Sequence, residues 1–227
     1  MTPEPQSPFN PLPPLVVALA VVILGIEALF SLGARGILGG PEAVGWRIAA
    51  IRDFGFVDQV FDWMLANGRF PPEQLARVVT YPLIHASFTH AVFVVIFVLA
   101  MGKMVSEVFG GLAFLTIFWV SAVVGALVYG LFLNEDLPLI GGYPGVYGLI
   151  GAYTFLLWVS LIATGGQQYR AFTLIGMLLG IQLFFAIFFE VGMDWVADLS
   201  GFVAGFGLCF LIAPGGWGRV MAKLRGR

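Results

Sequence analysis

The stretch GGYPGVYGLIGAYTFLLWVSLIAT, residues 141–164, decides the fold class of this chain. It contains no Asp, Glu, Lys or Arg, and its apolar part, Pro144–Thr164, is long enough to cross a bilayer as a helix. Gly145, Gly148 and Gly151 fall along one side of that helix. Lipid offers no hydrophobic drive for helix pairing, so small residues that let backbones approach are expected to pack it against its neighbours.

The composition extends this interpretation to the whole chain of 227 residues. The chain is 59% hydrophobic and only 11% charged, with a mean hydropathy of +0.96. A soluble domain carries roughly 25% charged residues, so most of the outer surface is expected to face lipid. A net charge of -2 without a basic block argues against nucleic acid as a partner. The single cysteine, Cys209, excludes a disulfide framework, and no metal or other cofactor is expected.

Apolar runs of spanning or near-spanning length predict an all-α membrane protein with six transmembrane helices. We expect a disordered Pro-rich lead over residues 1–11, one membrane domain over 12–214, and a basic tail over 215–227. The lead has no Lys or Arg, so the basic region of a signal peptide is missing. The predicted spans are Leu12–Leu32, Pro82–Met104, Leu112–Leu133, Pro144–Thr164, Phe172–Phe189 and Trp195–Ala213.

The long first loop, residues 33–81, holds five arginines and five acidic residues among several aromatic ones. Its apolar positions recur at roughly helical spacing, which predicts one or two short amphipathic helices at the membrane surface. A surface for a partner and an interfacial anchor are equally compatible with this pattern. The basic tail and the absence of Lys and Arg from residues 134–136 and 191–194 favour cytoplasmic termini and a periplasmic first loop in a bacterial inner membrane.

Small residues also recur every fourth position on two other predicted spans. They are Ala197, Gly201 and Gly205 on the sixth span, and Gly176 and Gly180 on the fifth. Because this spacing places them on one helix face, both spans are expected to contact neighbouring helices there.

Ionisable residues at membrane depth are costly and are therefore functional candidates. The sequence offers His85, His90, Glu107 and Asp198. The two histidines are five residues apart and do not share one helix face as an i,i+4 metal pair would, so a structural role is favoured over metal binding. Asp198 must find a donor, become protonated, or line a water-filled cavity.

Three segments, in this order, resemble motifs of the rhomboid family of intramembrane serine proteases. They are HASFTHAVFVV at residues 85–95, GGYPGVYGLIGAY at 141–153 and ADLSGFVAG at 197–205. The family shows His-x4-His-x3-Asn, Gly-x-Ser-Gly and Ala-His-x-x-Gly-x-x-x-Gly at these places. Arg77 matches an arginine of the family's first loop, and Glu107 matches an acidic residue that usually ends the second span. The resemblance implies six helices around a water-filled cavity that admits substrate helices sideways.

The departures from these motifs bear on activity. An ungapped comparison places Tyr143 at the nucleophilic serine and Pro144 at the glycine that follows it, and a shift by one residue would put Pro144 at the serine. Asp198 stands at the catalytic histidine, and Val94 replaces the asparagine of the oxyanion hole. His90, the other side-chain donor of that hole, remains.

Three functions are compatible with this pattern. The favoured one is a catalytically inactive pseudoprotease that binds transmembrane segments of client proteins for stability, assembly or quality control. The alternatives are an endopeptidase of the same family with an atypical site, and a proton, ion or solute pathway lined by Asp198 and His90. We also expect Tyr143 and Asp198 to form a hydrogen bond across the fourth and sixth spans in place of the Ser–His dyad.

Overall fold

The computed structural model describes residues 11–133, 135–188 and 192–213, except for the side chains of residues 183 and 185–188. The predicted tail and nearly all of the predicted lead lie outside the described residues. The described α-helices are α1 (Pro14–Ala34), α2 (Trp46–Phe54), α3 (Asp58–Asn67), α4 (Pro72–Thr80), α5 (Phe88–Phe109), α6 (Gly111–Phe132), α7 (Tyr143–Ala163), α8 (Thr173–Phe188) and α9 (Asp194–Ile212).

Helices α1, α5, α6, α7 and α9 are each long and apolar enough to cross a membrane. They correspond to five of the six predicted spans, and the all-helical fold class is confirmed for the part of the chain that the structure describes. The remaining predicted span corresponds to α8, which has 16 residues and ends beside residues that are not described. The count of six spans therefore stays a prediction.

The second span begins later than predicted. Tyr81–Leu83 forms a 3-10 turn, and α5 starts at Phe88, where the Ser87 hydroxyl accepts a hydrogen bond from the His90 backbone N–H at 3.2 Å. A serine in this position satisfies one of the free donors at a helix start and so fixes the boundary. As a result His85 lies in the segment before the helix, and His90 lies in its first turn.

Of the five long apolar helices, α7 is the most enclosed, because half of the residues in its apolar stretch are buried. It packs against α6 and α9. A Cβ atom added at Gly205 would collide with the Gly148 carbonyl, and one added at Gly201 would collide with the Pro144 carbonyl. Gly151 approaches the backbone at Phe202 in the same way. The backbones of α7 and α9 are therefore close because these positions carry no side chain.

The small residues of α8 do not have this role. An added Cβ atom at Gly176 or Gly180 would meet nothing within 4 Å among the described residues. The contact expected at these two glycines is not found among the described residues, because fourfold spacing defines a face but does not say what lies against it.

The first loop contains more helix than expected, with a 3-10 turn at Pro41–Gly45 followed by α2, α3 and α4. The Arg77 Nη1 donates to the carbonyls of Arg52 at 2.7 Å and Gly55 at 3.0 Å, which joins α4 to the end of α2. Phe56 and Leu139 pair through two backbone hydrogen bonds of 3.1 and 2.8 Å. The loop is thus fixed to the segment that leads into α7.

Candidate functional site

A cavity of about 260 Å³ lies among α5, α7, α8 and α9. Its walls are apolar and aromatic, and its polar groups are two tyrosine hydroxyls, one amide and one carboxylate. Tyr143 and Asp198, the residues at the two predicted dyad positions, both line it. The lining residues are Phe97, Tyr143, Val146, Tyr147, Ile150, Leu178, Ile181, Gln182 and Asp198.

Asp198 is 4% exposed and lies near the start of α9, where it lines the cavity. Its carboxylate accepts a hydrogen bond of 3.0 Å from Gln182 Nε2 on α8. Among the described residues this is the hydrogen bond that the carboxylate receives, so the predicted bond between Tyr143 and Asp198 is wrong. The Gln182 Oε1 atom is buried and has no hydrogen-bond partner in the described part of the chain.

Tyr143 instead packs on His90. The two rings are stacked at a centroid distance of 5.0 Å and an interplanar angle of 16°. Gly141, at a φ of +93°, makes this possible, because a Cβ atom there would lie 2.5 Å from the His90 ring. A Cβ atom at Gly142 would meet the fully buried Val94. The Gly141–Gly142 pair therefore lets the start of α7 lie against the start of α5.

His85 and His90 form an edge-to-face pair with centroids 5.0 Å apart. The Nε2 atoms of both rings are buried and have no hydrogen-bond partner among the residues described. Burial, followed by the charge of His90, lowers the pKa of His85 from its ordinary 6.5 to about 4. His85 is therefore neutral at physiological pH.

A buried ion pair that sequence reasoning missed lies beside the histidines. The Arg47 guanidinium donates to both carboxylate oxygens of Glu27 at 2.8 and 2.6 Å, and also to the His85 carbonyl at 2.7 Å. Glu27 is 1% exposed and also accepts from the Ser31 hydroxyl. The available signal was that Glu27 is the only charged residue in α1. Gln182 and Tyr147 are the polar residues of the cavity lining that were not assigned to the site from sequence.

The remaining sequence candidates lie away from the cavity. Pro144 and Gly145 open α7, where Pro144 faces Gly125 and Gly145 faces the Phe118 ring. Glu107 lies near the end of α5, with a carboxylate oxygen 3.9 Å from Lys103 Nζ.

Four serines that could offer another hydroxyl nucleophile, Ser87, Ser121, Ser160 and Ser200, also lie outside the cavity lining. Ser87 caps α5, the Ser200 hydroxyl donates to the Val196 carbonyl, and Ser121 lies buried against Gly148. Ser160 lies near the end of α7. Among the described residues none of these hydroxyls bonds to a histidine side chain, and the bond of Ser87 is to the backbone N–H of His90.

Comparison with known proteins agrees with the motifs. The family model described as Rhomboid domain matches residues 72–215. The chain is 29% identical over 149 residues to "Rhomboid-like protease 3" of Toxoplasma gondii, which covers 64% of this chain and 56% of that protein. It is 26% identical over 137 residues to "Putative rhomboid protease YdcA" of Bacillus subtilis (strain 168), which covers 60% of this chain and 66% of that protein.

The matched family model covers more than half of the chain, and the chain belongs to the rhomboid family. With its apolar helices it is a multi-pass membrane protein. It spans less than two thirds of the length of the two relatives named above.

Proposed function

We propose that this chain is a rhomboid pseudoprotease, which binds transmembrane segments of client membrane proteins and does not cleave them. One observation carries the proposal: the lining of the cavity contains no Ser, Thr, Cys or His among the described residues. Tyr143 and Asp198 line it at the positions where the family motifs place the nucleophile and the base. The partners are then the lipid bilayer and a client helix.

The chemistry of peptide cleavage supports this proposal. Acyl transfer needs a nucleophile, a base that takes its proton, and donors for the developing oxyanion. The Tyr143 ring lies flat on His90, the remaining oxyanion donor of the motif, and Val94 offers no donor. Loss of the nucleophile or of the base alone costs about 10⁶ in rate in a soluble serine protease with related chemistry, and such losses are not additive.

An intramembrane endopeptidase with an atypical site is the second candidate, because both relatives carry the word protease in their names. Without a serine in the cavity, cleavage would have to use carboxylates, and acid proteases need two that share a proton. Asp194 is the neighbouring acid, one helical turn from Asp198, but it is exposed and does not line the cavity. The pseudoprotease therefore remains the better supported proposal.

The test is a cleavage assay with purified protein in nanodiscs and a transmembrane substrate, with an active rhomboid as positive control. We expect no product from the wild type and no labelling by a fluorophosphonate. A parallel reaction measures, by cross-linking, whether the protein binds the same substrate. Product from the wild type that disappears in Asp198→Asn would establish the endopeptidase instead. Absence of both product and cross-link would contradict both candidates.

The proposal includes a location in the bacterial inner membrane with both termini in the cytoplasm. The positive-inside rule supports it through the basic residues of the tail. Reporter fusions that are active only in the periplasm or only in the cytoplasm test it. A C-terminal fusion should be active as the cytoplasmic reporter, and activity of the periplasmic reporter there would reverse the orientation.

A further inference from the structure

Asp198 is a buried carboxylate without a cationic partner in the described part of the chain. No Lys, Arg or His forms an ion pair with it there, and the Gln182 amide supplies the hydrogen bond that it receives. An ionised carboxylate can accept about four hydrogen bonds. The Gln182 Oε1 atom beside it is a second buried acceptor without a partner. This end of the cavity is therefore rich in acceptors and lacks positive charge.

The dimensions of the cavity limit its occupant. A cavity of about 150 Å³ admits a benzene molecule, so about 260 Å³ accommodates one long side chain. An α-helix with its side chains is about 10 Å across and does not fit. The lining reaches the outer surface of the bundle on α8, where Ile181 is 47% exposed. A helix lying against this surface could extend one side chain inward.

We propose that the cavity is a binding site for the basic side chain, Lys or Arg, of a client transmembrane segment, with Asp198 as its counter-charge. Gln182 Oε1 accepts a second hydrogen bond from the same group, and the Phe97 and Leu178 side chains enclose its aliphatic stem. A basic residue in a membrane helix is costly and pairs with an acid where it can. Binding thus gives the basic group of the client a buried acid as its partner. This inference rests on the proposed client-binding function and names its specificity.

The test uses three Leu/Ala transmembrane peptides that differ only at the central residue, which is Lys, Leu or Glu. Each peptide is titrated into nanodiscs that contain the full chain, and binding is measured by energy transfer between two fluorophores. We expect the Lys peptide to bind about tenfold more tightly than the Leu peptide, in the range of polar contacts between membrane helices. The Glu peptide should bind no better than the Leu peptide.

Two variants locate the effect. Asp198→Asn keeps the shape of the side chain and should abolish the preference for Lys. Asp194→Asn makes the same charge change one turn earlier on α9, outside the cavity lining, and should preserve it. The comparison of peptides on the wild type needs no variant, so the test stands even if Asp198→Asn does not fold.

The possible outcomes separate the inference from the function on which it rests. If the Lys and Leu peptides bind the wild type equally, client binding stands and the role of Asp198 is wrong. If the Lys preference persists in Asp198→Asn, the role of Asp198 is also wrong. If no peptide binds, the proposed function fails and the inference fails with it.

Discussion

The Gln182 side chain donates from Nε2 to the Asp198 carboxylate across 3.0 Å, and this bond links α8 to α9 inside the bundle. It ties a polar residue of the fifth predicted span to the position where the family motif has its catalytic histidine. Because Asp198 is buried, the bond compensates part of the cost of removing a carboxylate from water.

Replacement of Gln182 by Leu should therefore lower the free energy of unfolding by about 1–3 kcal/mol, because it leaves a buried acceptor without a donor. In an Asp198→Leu background the same replacement should cost much less, since no carboxylate remains to be satisfied. Unfolding in mixed micelles, followed by tryptophan fluorescence, measures all four proteins of this cycle. Equal costs in both backgrounds would show that the bond does not contribute.

The Glu27–Arg47 pair gives a second prediction. Removal of one partner, as in Arg47→Met, should destabilise the fold by about 3–5 kcal/mol, because it leaves a buried charge without its partner. The double replacement of Glu27 by Leu and Arg47 by Met should recover much of the lost stability, because it removes both charges. Arg52→Met is the matched control, because Arg52 pairs with Asp53 in an exposed position. A similar loss in the control would contradict the assignment.

Stability should also depend on pH through His85. The pKa of His85 is about 4 in the folded state and about 6.5 when unfolded, so the unfolded chain takes up a proton first as the pH falls. This contribution is fully present above about pH 6.5, decreases by roughly 3 kcal/mol at most down to pH 4, and levels off below it. The titratable and charged groups next to His85 are His90, Glu27 and Arg47.

Unfolding of the wild type and of His85→Asn at pH 8, 6 and 4.5 measures this dependence. The variant should show a shallower loss of stability over the same range. An identical slope in the two proteins would assign the pH dependence to other groups.

Close packing of α7 on α9 gives a fourth prediction. Gly205→Ala should impair folding, because its Cβ atom would collide with the Gly148 carbonyl and force the helices apart. Gly207→Ala, two residues later on the same helix, is the matched control, since nothing lies within 4 Å of its added Cβ atom among the described residues. The yield of monodisperse protein after gel filtration compares them. Equal yields would contradict the close approach.

Much of the fold could be predicted from hydrophobic runs, because a backbone in lipid must satisfy its hydrogen bonds internally and so forms a helix wherever the chain is apolar for long enough. The same local rule located α1, α5, α6, α7 and α9. It failed at the start of α5, because the run from Pro82 onward is apolar while Ser87 provides the cap.

The sequence indicated two residues that line the cavity, Tyr143 and Asp198, but not the contacts that they make. The ordered motifs brought Tyr143 and Asp198 to one cavity, since the two helices cross at glycines that the spacing had indicated. The partner of Asp198 came from α8, whose rotation about its own axis is not determined by a nearly uniform apolar sequence. The Glu27–Arg47 pair was missed for a related reason, because nothing local links a span to a loop helix 20 residues later.

That separation of 20 residues has a consequence for synthesis. Glu27 is synthesised 20 residues before Arg47, so it leaves the ribosome first. The nascent segment thus carries an uncompensated acid until the loop helix has emerged and folded back onto it. We therefore expect membrane integration of the N-terminal segment to be coupled to folding of the following loop, because Glu27 gains its counter-charge only when Arg47 pairs with it.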